Sequence, residues 1–264
     1  PVVQRTTKRS RPTGRSNTRE NQRRMKEQIN LKKATAALEA INPADLVPYA
    51  EYFKQITPND ATEIFQRFLF AFSSVHTTWK YNVNLFSLLF DLSWRGDQQK
   101  LFDRITERRA GLTEGRTKSI HKFDIDFWSD PEWYLKRDNE LWSQYRDRVQ
   151  ARTLGLGHAK SSFAIALLYP NTAEVICGDT HQLQAFGLKG NSSPSQKMYS
   201  CIEQHWVLEC RRLGLACVAA RWCMWDRKQG KTNPRYWSYC LEGDNPEMVC
   251  PRQLELFTYK ETLQ

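Results

Sequence analysis

The chain has 264 residues, of which 40% are hydrophobic and 12% aromatic, and it carries a formal net charge of +10. This length and composition exclude a chain too polar to fold, and they predict one large domain or two smaller lobes with a hydrophobic core. No apolar stretch reaches about 18 residues, so the sequence predicts neither a transmembrane helix nor a membrane partner.

The positive charge is concentrated at the start of the chain. Residues 1–33 contain eleven lysines or arginines and two acidic residues, so they carry +9 of the net charge of +10. Because the first part of this segment offers almost nothing to bury, we predict a disordered basic arm over residues 1–33. Contact with DNA phosphates is the favoured interpretation, and a solubilising or targeting tail is the alternative. The arm lacks the apolar core of a secretion signal, which predicts an intracellular protein.

The seven cysteines do not indicate a cofactor. Their number is odd, and no two of them form a close Cys-x-x-Cys pair. Such a set predicts buried free thiols in a reducing compartment, without a bound metal or an iron–sulfur cluster. We therefore expect the protein to work without a cofactor.

The rest of the chain has the pattern of one helix after another. Helix starts with proline in the first turn occur at residues 42–45 and 57–60. Apolar residues at helical spacing predict helices over residues 61–75, 82–93, 97–111, 132–152, 161–168, 180–186, 195–212 and 217–226. Only residues 174–177 have a weak strand-like pattern. The sequence therefore predicts an all-α fold for residues 34–264.

Two glycines, Gly155 and Gly157, flank Leu156 at the start of an apolar helix. The pattern predicts a hairpin of two helices over about residues 146–168, joined by a very short turn. Glycine permits positive φ, and the unpaired amides at the start of the second helix suit a phosphate. We expect Leu156 to insert into the core and His158 to contact phosphate or face solvent. A purely structural helix cap is the alternative explanation of the glycine pair.

The segment from Leu154 to Leu188 resembles the helix-hairpin-helix signature of the DNA glycosylase superfamily, which includes the endonuclease III family. The shared pattern has an apolar residue, a Gly-x-Gly turn with an apolar middle residue, a helix that starts with small residues, a loop, and an Asp-Thr-His sequence. In this chain the parts are Leu154, Gly155-Leu156-Gly157, residues 161–164, Pro170-Asn171 and Asp179-Thr180-His181. The resemblance is specific over residues 153–188 and extends loosely over residues 68–226.

The resemblance implies a two-lobed helical protein that binds double-stranded DNA as a monomer and flips a nucleotide into a pocket between the lobes. In this family a carboxylate beside the sugar stabilises an oxocarbenium-like state or activates a water, and that role falls on Asp179. The alternative is that Asp179 only caps the helix that begins at Thr180. His181 is expected to brace this loop or to meet a phosphate, and a general base is the alternative.

The position of Lys160 departs from the family pattern. Bifunctional members place a Schiff-base lysine two residues after the second glycine, and that position is Ala159 here, with Lys160 one residue later. One residue rotates a helix by about 100°, so we expect Lys160 to point away from the pocket and to lie near phosphate. The departure predicts a monofunctional, hydrolytic enzyme that relies on Asp179. Lys160 stays a second candidate catalytic residue.

The resemblance also implies that residues 73–79 lie beside the flipped base. Four residues there offer hydrogen bonds or a stacking surface to a base, namely Ser74, His76, Thr77 and Trp79. A helix terminus with ordinary packing explains the same residues. Further along, residues 221–237 mix basic and aromatic side chains, which suits either base stacking with phosphate contact or aromatic caps on a core helix, and we favour the core interpretation for Trp222 and Trp225.

Three functions are compatible with these features. The first is an N-glycosylase that excises a damaged or modified base from DNA. The second is a phage-type transferase with the same hairpin and pocket, which attaches an amino acid or amine to an activated hydroxymethyl pyrimidine in DNA. The third is a DNA-binding module without catalysis. The absence of an iron–sulfur cysteine set weighs against an ordinary repair enzyme. It does not favour either of the other two functions, so excision of a base remains the preferred prediction.

Overall fold

The computed structural model describes residues 29–76, 79–107, 111–189 and 194–230, and the side chains of residues 79 and 80 lie outside this description. Every regular element in these residues is helical, which confirms the predicted all-α fold. The α-helices are α1 (Leu31–Glu39), α2 (Val47–Ile56), α3 (Ala61–Ser73), α4 (Trp79–Leu89), α5 (Gln98–Glu107), α6 (Thr113–Ser129), α7 (Trp142–Arg152), α8 (His158–Leu168), α9 (Thr180–Ala185), α10 (Gln196–Leu213) and α11 (Cys217–Lys228). Two 3₁₀ helices, Pro43–Leu46 and Pro131–Tyr134, accompany them. None of the described helices is long and apolar enough to cross a membrane.

The described helices form two sets. Helices α3 to α8 pack mainly on one another, and α1, α2, α9, α10 and α11 pack mainly on one another. The sets meet where the ring of Phe163 on α8 lies 5.9 Å from that of Trp222 on α11. This division confirms the two lobes implied by the resemblance and places a cleft beside the start of α8.

The larger lobe is built around α3 and its phenylalanines. Asp60 caps this helix by accepting a hydrogen bond from the Glu63 amide at 2.8 Å. Phe65 and Phe68 on its buried face are fully shielded from solvent. Their rings lie 5.1 and 5.0 Å from the ring of Phe123 on α6. Such aromatic contacts bury large apolar areas and fix α3 against α6.

The basic arm ends earlier than predicted. Residues 1–28 lie outside the described residues, so the arm stays a prediction there. Ile29 is buried, and α1 begins at Leu31 with the side chain of Asn30 as its cap. Residues 29–33 therefore belong to the folded domain, because they carry the start of a helix that packs against the core.

The single helix predicted over residues 132–152 is wrong in its first half. The chain forms the 3₁₀ helix Pro131–Tyr134, then turns, and only afterwards enters α7. Arg148 on α7 explains the turn, since its guanidinium pairs with Glu140 at 2.6 Å and also donates to a carbonyl of the turn at 2.8 Å. Leu141 is therefore 64% exposed instead of lying on a buried helix face.

Residues 174–177 have no regular secondary structure and do not form the strand that their pattern suggested. Ile176 is buried, its amide donates to Glu203 at 3.2 Å, and its carbonyl accepts from the hydroxyl of Tyr199. Side chains of α10 thus supply the hydrogen bonds that a neighbouring strand would otherwise give. The segment leads directly to Asp179.

Five of the seven cysteines lie in the described residues, and all five are free thiols. Cys240 and Cys250 lie outside these residues. Within the described ranges, no group of three or more His, Cys, Asp or Glu side chains is placed to hold a metal ion.

Candidate active site

The Gly-Leu-Gly turn joins α7 to α8, as predicted, and its two glycines have different roles. Gly155 has a φ of +90°, and a Cβ atom added there would lie 2.6 Å from the Oγ atom of Ser119. Gly157 is extended, with a φ of −79°, and an added Cβ would meet nothing within 4 Å. Leu156 between them is 3% exposed, which confirms its insertion into the core. Gly155 is therefore required by the fold, whereas Gly157 leaves an open surface at the first amides of α8.

Alanine at these two positions makes a matched pair of variants. We expect Gly155→Ala to lower the free energy of unfolding by about 2 kcal/mol or more, because it combines left-handed backbone strain with a steric clash. Gly157→Ala should change it by less than about 0.5 kcal/mol. Urea unfolding followed by circular dichroism measures both values. Equal losses in the two variants would contradict this division of roles.

Asp179 caps α9 and also faces the cleft. Its Oδ1 atom accepts a hydrogen bond from the Gln182 amide at 3.0 Å, which is the capping contact expected from the sequence. Its Oδ2 atom forms an ion pair with Arg221 on α11. The side chain of Asp179 remains 21% exposed. Capping the helix and serving the cleft are therefore compatible in this residue.

Lys160 lies in the wall of the cleft, contrary to the prediction that it points away. It lines the same cavity as Asp179, and its Nζ atom lies 5.7 Å from the ring centroid of Phe163. The prediction took Ala159 as the pocket-facing position and placed Lys160 about 100° away from it, but Lys160 is the one of the two that lines the cavity. Ala159, the position that the family pattern favours, packs against the core.

The surroundings of Lys160 favour its neutral amine. Burial lowers the pKa of Lys160, the charges of Arg221 and Arg116 act in the same direction, and Asp179 opposes them. Among the described residues, none forms a hydrogen bond or a salt bridge with the Nζ atom. A lysine amine that is neutral and unpaired is the reactive form of this side chain.

Arg221 is the site residue that the sequence did not reveal. It is 5% exposed, and its guanidinium lies 4.5 Å from the ring of Trp222 and 5.5 Å from that of Phe163. Its Nε and Nη1 atoms are buried and have no hydrogen-bond partner among the described residues. In the sequence it was part of a basic and aromatic stretch, and nothing there linked it to Asp179, from which 42 residues separate it.

These residues enclose a cavity of about 210 Å³ between the two lobes. Its walls are formed by Ser74, Asn82, Lys160, Phe163, Cys177, Asp179, Thr180, His181, Arg221, Trp222, Trp225 and Gln229. Trp222 is 1% exposed and therefore also a core residue, as predicted, and Trp225 is partly buried. The cavity thus combines an amine, a carboxylate and a guanidinium with three aromatic side chains.

Of the four residues predicted to lie beside a flipped base, Ser74 is the one that lines the cavity among the described residues. Ser74 lines the cavity, and its hydroxyl donates to the Ala71 carbonyl at 2.7 Å. His76 is exposed, has a φ of +48° and does not line the cavity, so its placement in the pocket is wrong. Thr77 and the side chain of Trp79 lie outside the described residues.

Asn82 on α4 also lines the cavity, and the sequence did not reveal it. It is 2% exposed, and its buried Oδ1 atom has no hydrogen-bond partner within the described ranges of the chain. No motif marks this position in the sequence, since an asparagine inside an apolar helix has many structural explanations.

The two histidines of the predicted site have different environments. His181 lines the cavity, with its Nε2 atom 2.9 Å from Nε2 of Gln229. His158 does not line the cavity. Burial lowers the pKa of His158, and its ring lies 5.5 Å from that of Tyr199. A phosphate contact by either histidine stays a prediction.

No protein-family model matches the sequence, and no curated protein matches it. Solved structures do match its fold. The 8-oxoguanine DNA glycosylase of Methanocaldococcus jannaschii aligns with a TM-score of 0.60 at 14% identity, over 76% of this chain and 94% of its own. The 8-oxoguanine DNA glycosylase of Thermotoga maritima aligns with a TM-score of 0.60 at 16% identity, over 79% of this chain and 99% of its own.

A third solved structure contains DNA. It is the Methanocaldococcus jannaschii 8-oxoguanine glycosylase/lyase in complex with a 15mer DNA containing 8-oxoguanine, with a TM-score of 0.58 at 15% identity, over 76% of this chain and 98% of its own. The alignments span nearly the whole of each of these proteins. The chain therefore has the helix-hairpin-helix fold of the 8-oxoguanine DNA glycosylases.

Proposed function

We propose that the protein is a DNA glycosylase that excises a base from double-stranded DNA with Lys160 as its nucleophile. The proposal rests on one observation. Lys160, Asp179 and Arg221 line the same cavity, which has aromatic walls and lies beside the Gly-Leu-Gly turn. This proposal replaces the monofunctional, hydrolytic enzyme expected from the sequence, because that expectation depended on Lys160 pointing away from the cavity.

The chemistry follows from the three charged groups. The lowered pKa of Lys160 increases the neutral fraction of its amine at a given pH, and the neutral amine attacks the C1′ atom of a flipped nucleotide while the bond from C1′ to the base breaks. The carboxylate of Asp179 stabilises the positive charge that develops on the sugar. The resulting covalent link between Nζ and C1′ becomes a Schiff base when the sugar ring opens, and borohydride reduces it to a stable adduct.

DNA binding is supported by the hairpin and by the fold. The first amides of α8 have no partner within the helix and lie at its positive end, where a phosphate is stabilised. The same fold occurs in a solved complex with DNA. We propose that the protein binds duplex DNA as a monomer and places one nucleotide in the cavity.

The proposal is tested by mass spectrometry of the products from duplexes that carry one modified base each. The base 8-oxoguanine is the first to test, because the solved proteins with this fold act on it. We expect release of a free base from at least one duplex of the panel, followed by cleavage of the strand. A base that stays in the DNA with added mass would support the transferase instead. DNA binding without any product would leave a non-catalytic module.

Removal of the basic arm is expected to weaken binding without changing the choice of base. Residues 1–28 contain nine lysines or arginines. Their loss should lower affinity for all duplexes alike and flatten the dependence of log K on log salt, whose slope is about −0.9 per phosphate neutralised. Fluorescence anisotropy at several salt concentrations measures this. A full-length variant with these nine residues changed to glutamine separates the effect of charge from that of length. If the slope of log K against log salt is unchanged in the truncated protein and in the glutamine variant, the arm does not bind phosphates.

A further inference from the structure

Arg221 has hydrogen-bonding capacity that the described part of the chain does not use. Its Nη2 atom pairs with Asp179, which holds the guanidinium against the cavity, while Nε and Nη1 are buried without a partner in the described residues. Buried donors are almost always paired in folded proteins, and an exception calls for an explanation such as a catalytic role or a bound ligand. A guanidinium only donates hydrogen bonds, so the missing partner is an acceptor.

The surroundings of Arg221 suit a flat heterocycle as that ligand. Phe163, Trp222 and Trp225 give the cavity aromatic walls, on which a base can stack. On the opposite lobe, the buried and unpartnered Oδ1 atom of Asn82 lines the same cavity. The donors of Arg221 match a carbonyl oxygen of such a ring, and the amide oxygen of Asn82, which accepts, matches a ring N–H group.

We propose that Arg221 is a catalytic residue that donates hydrogen bonds from Nε and Nη1 to a carbonyl oxygen of the flipped base and stabilises the negative charge of the departing base. This inference rests on the proposed function, and it names the substrate class as bases with a carbonyl oxygen conjugated to the nitrogen that is bonded to C1′. Adenine has no such oxygen and is disfavoured.

The electrons and protons of this step balance without a further reactant. The neutral amine of Lys160 forms a bond to C1′, and the bond from C1′ to the base nitrogen breaks with both electrons passing to the base. The negative charge spreads to the carbonyl oxygen, where Arg221 faces it. The proton that Nζ loses after the attack neutralises the base, which leaves as a neutral molecule.

The ion pair between Arg221 and Asp179 then has a consequence for catalysis. The carboxylate lies beside the sugar, where positive charge develops, and the guanidinium lies beside the base, where negative charge develops. The pair therefore stabilises both ends of the breaking bond, as prearranged charges do in a site shielded from water.

Two reactions of the same protein test the proposal, since only one of them has a leaving base. Excision is measured with the duplex of the panel whose base the wild type releases. Schiff-base formation is measured by borohydride trapping on a duplex with a preformed abasic site. Both are followed at a pH at which the trapping rates of the wild type and of each variant no longer rise, because loss of the Arg221 charge raises the pKa of Lys160.

We expect Arg221→Met to slow excision by about 10²–10³-fold while trapping at the abasic site changes by less than about threefold. Arg221→Lys keeps the positive charge but offers fewer well-placed hydrogen-bond donors. It should therefore slow excision less than Arg221→Met does. Arg227→Met is the matched control on the same helix, because Arg227 forms an exposed ion pair with Asp45 away from the cavity. It should leave both reactions unchanged.

Three results would overturn the proposal. Equal slowing of excision and trapping would make Arg221 a residue that only positions Asp179 or Lys160. Excision at the wild-type rate in both Arg221 variants would remove it from the reaction. A wild type that neither releases a base nor is trapped would refute the proposed function itself. A variant that is trapped at the abasic site is also shown to be folded. If circular dichroism shows that Arg221→Met is unfolded, the rates of excision and trapping are compared in Arg221→Lys instead.

Discussion

Replacement of Lys160 by alanine is expected to abolish borohydride trapping of the protein on DNA and to slow base excision by on the order of 10³-fold or more. The reason is that its amine is the attacking atom, and among the described residues no other lysine lines the cavity. Affinity for duplex DNA should change little by comparison. Single-turnover excision and anisotropy titrations separate the two effects.

The pH dependence of trapping provides a further check on Lys160. Only the neutral amine attacks, so the rate should rise with pH and level off once the amine is deprotonated. Because burial lowers the pKa of Lys160, the midpoint should lie below the ordinary range of lysine. Lys118→Ala, which removes an exposed lysine on α6, is the control and should leave the profile unchanged. Persistent trapping in Lys160→Ala would show that another amine reacts.

Asp179→Asn is expected to retain DNA binding and to slow excision by about 10²–10⁴-fold, because an amide does not stabilise positive charge at the sugar as a carboxylate does. The single-turnover excision rate and the dissociation constant are measured on the same duplex for the wild type and for Asp179→Asn. If the rate is close to that of the wild type, Asp179 serves only as a helix cap.

The structure adds a stability effect to this variant that the sequence did not indicate. Asparagine is a good N-cap, so α9 itself should lose little. However, the change leaves the buried guanidinium of Arg221 without a counter-charge, and we expect the melting temperature to fall for that reason. Asp45→Asn breaks the exposed ion pair with Arg227 and is the control for losing a carboxylate partner. It should have little effect on melting or on excision.

The parts of the site that are local in sequence could be predicted. Gly155, Leu156 and the cap at Asp179 depend on backbone conformation within a few residues, and the sequence carries that information directly. The helical pattern of α3 was visible for the same reason, since its phenylalanines recur at the helical period. Such features follow from periodicity and from the residues that begin and end helices.

The parts that depend on how distant elements pack could not be predicted. Arg221 and Asn82 reach the cavity only because α11 and α4 meet α8 across the cleft, and no motif marks either residue. Lys160 was misplaced because its direction was judged from the family spacing, which favours Ala159, whereas in this fold Ala159 packs against the core and Lys160 lines the cavity. The helix predicted over residues 132–152 failed because Arg148 holds a turn through contacts that helical periodicity does not report.

The most direct test of the account is to identify the residue that becomes attached to DNA. The wild type is incubated with a duplex that carries a preformed abasic site, reduced with borohydride and digested, and the modified peptide is sequenced by mass spectrometry. We predict a single sugar adduct on the Nζ atom of Lys160. An adduct on another amine, or no adduct from a protein that binds the duplex, would contradict the claim that Lys160 is the nucleophile of this site.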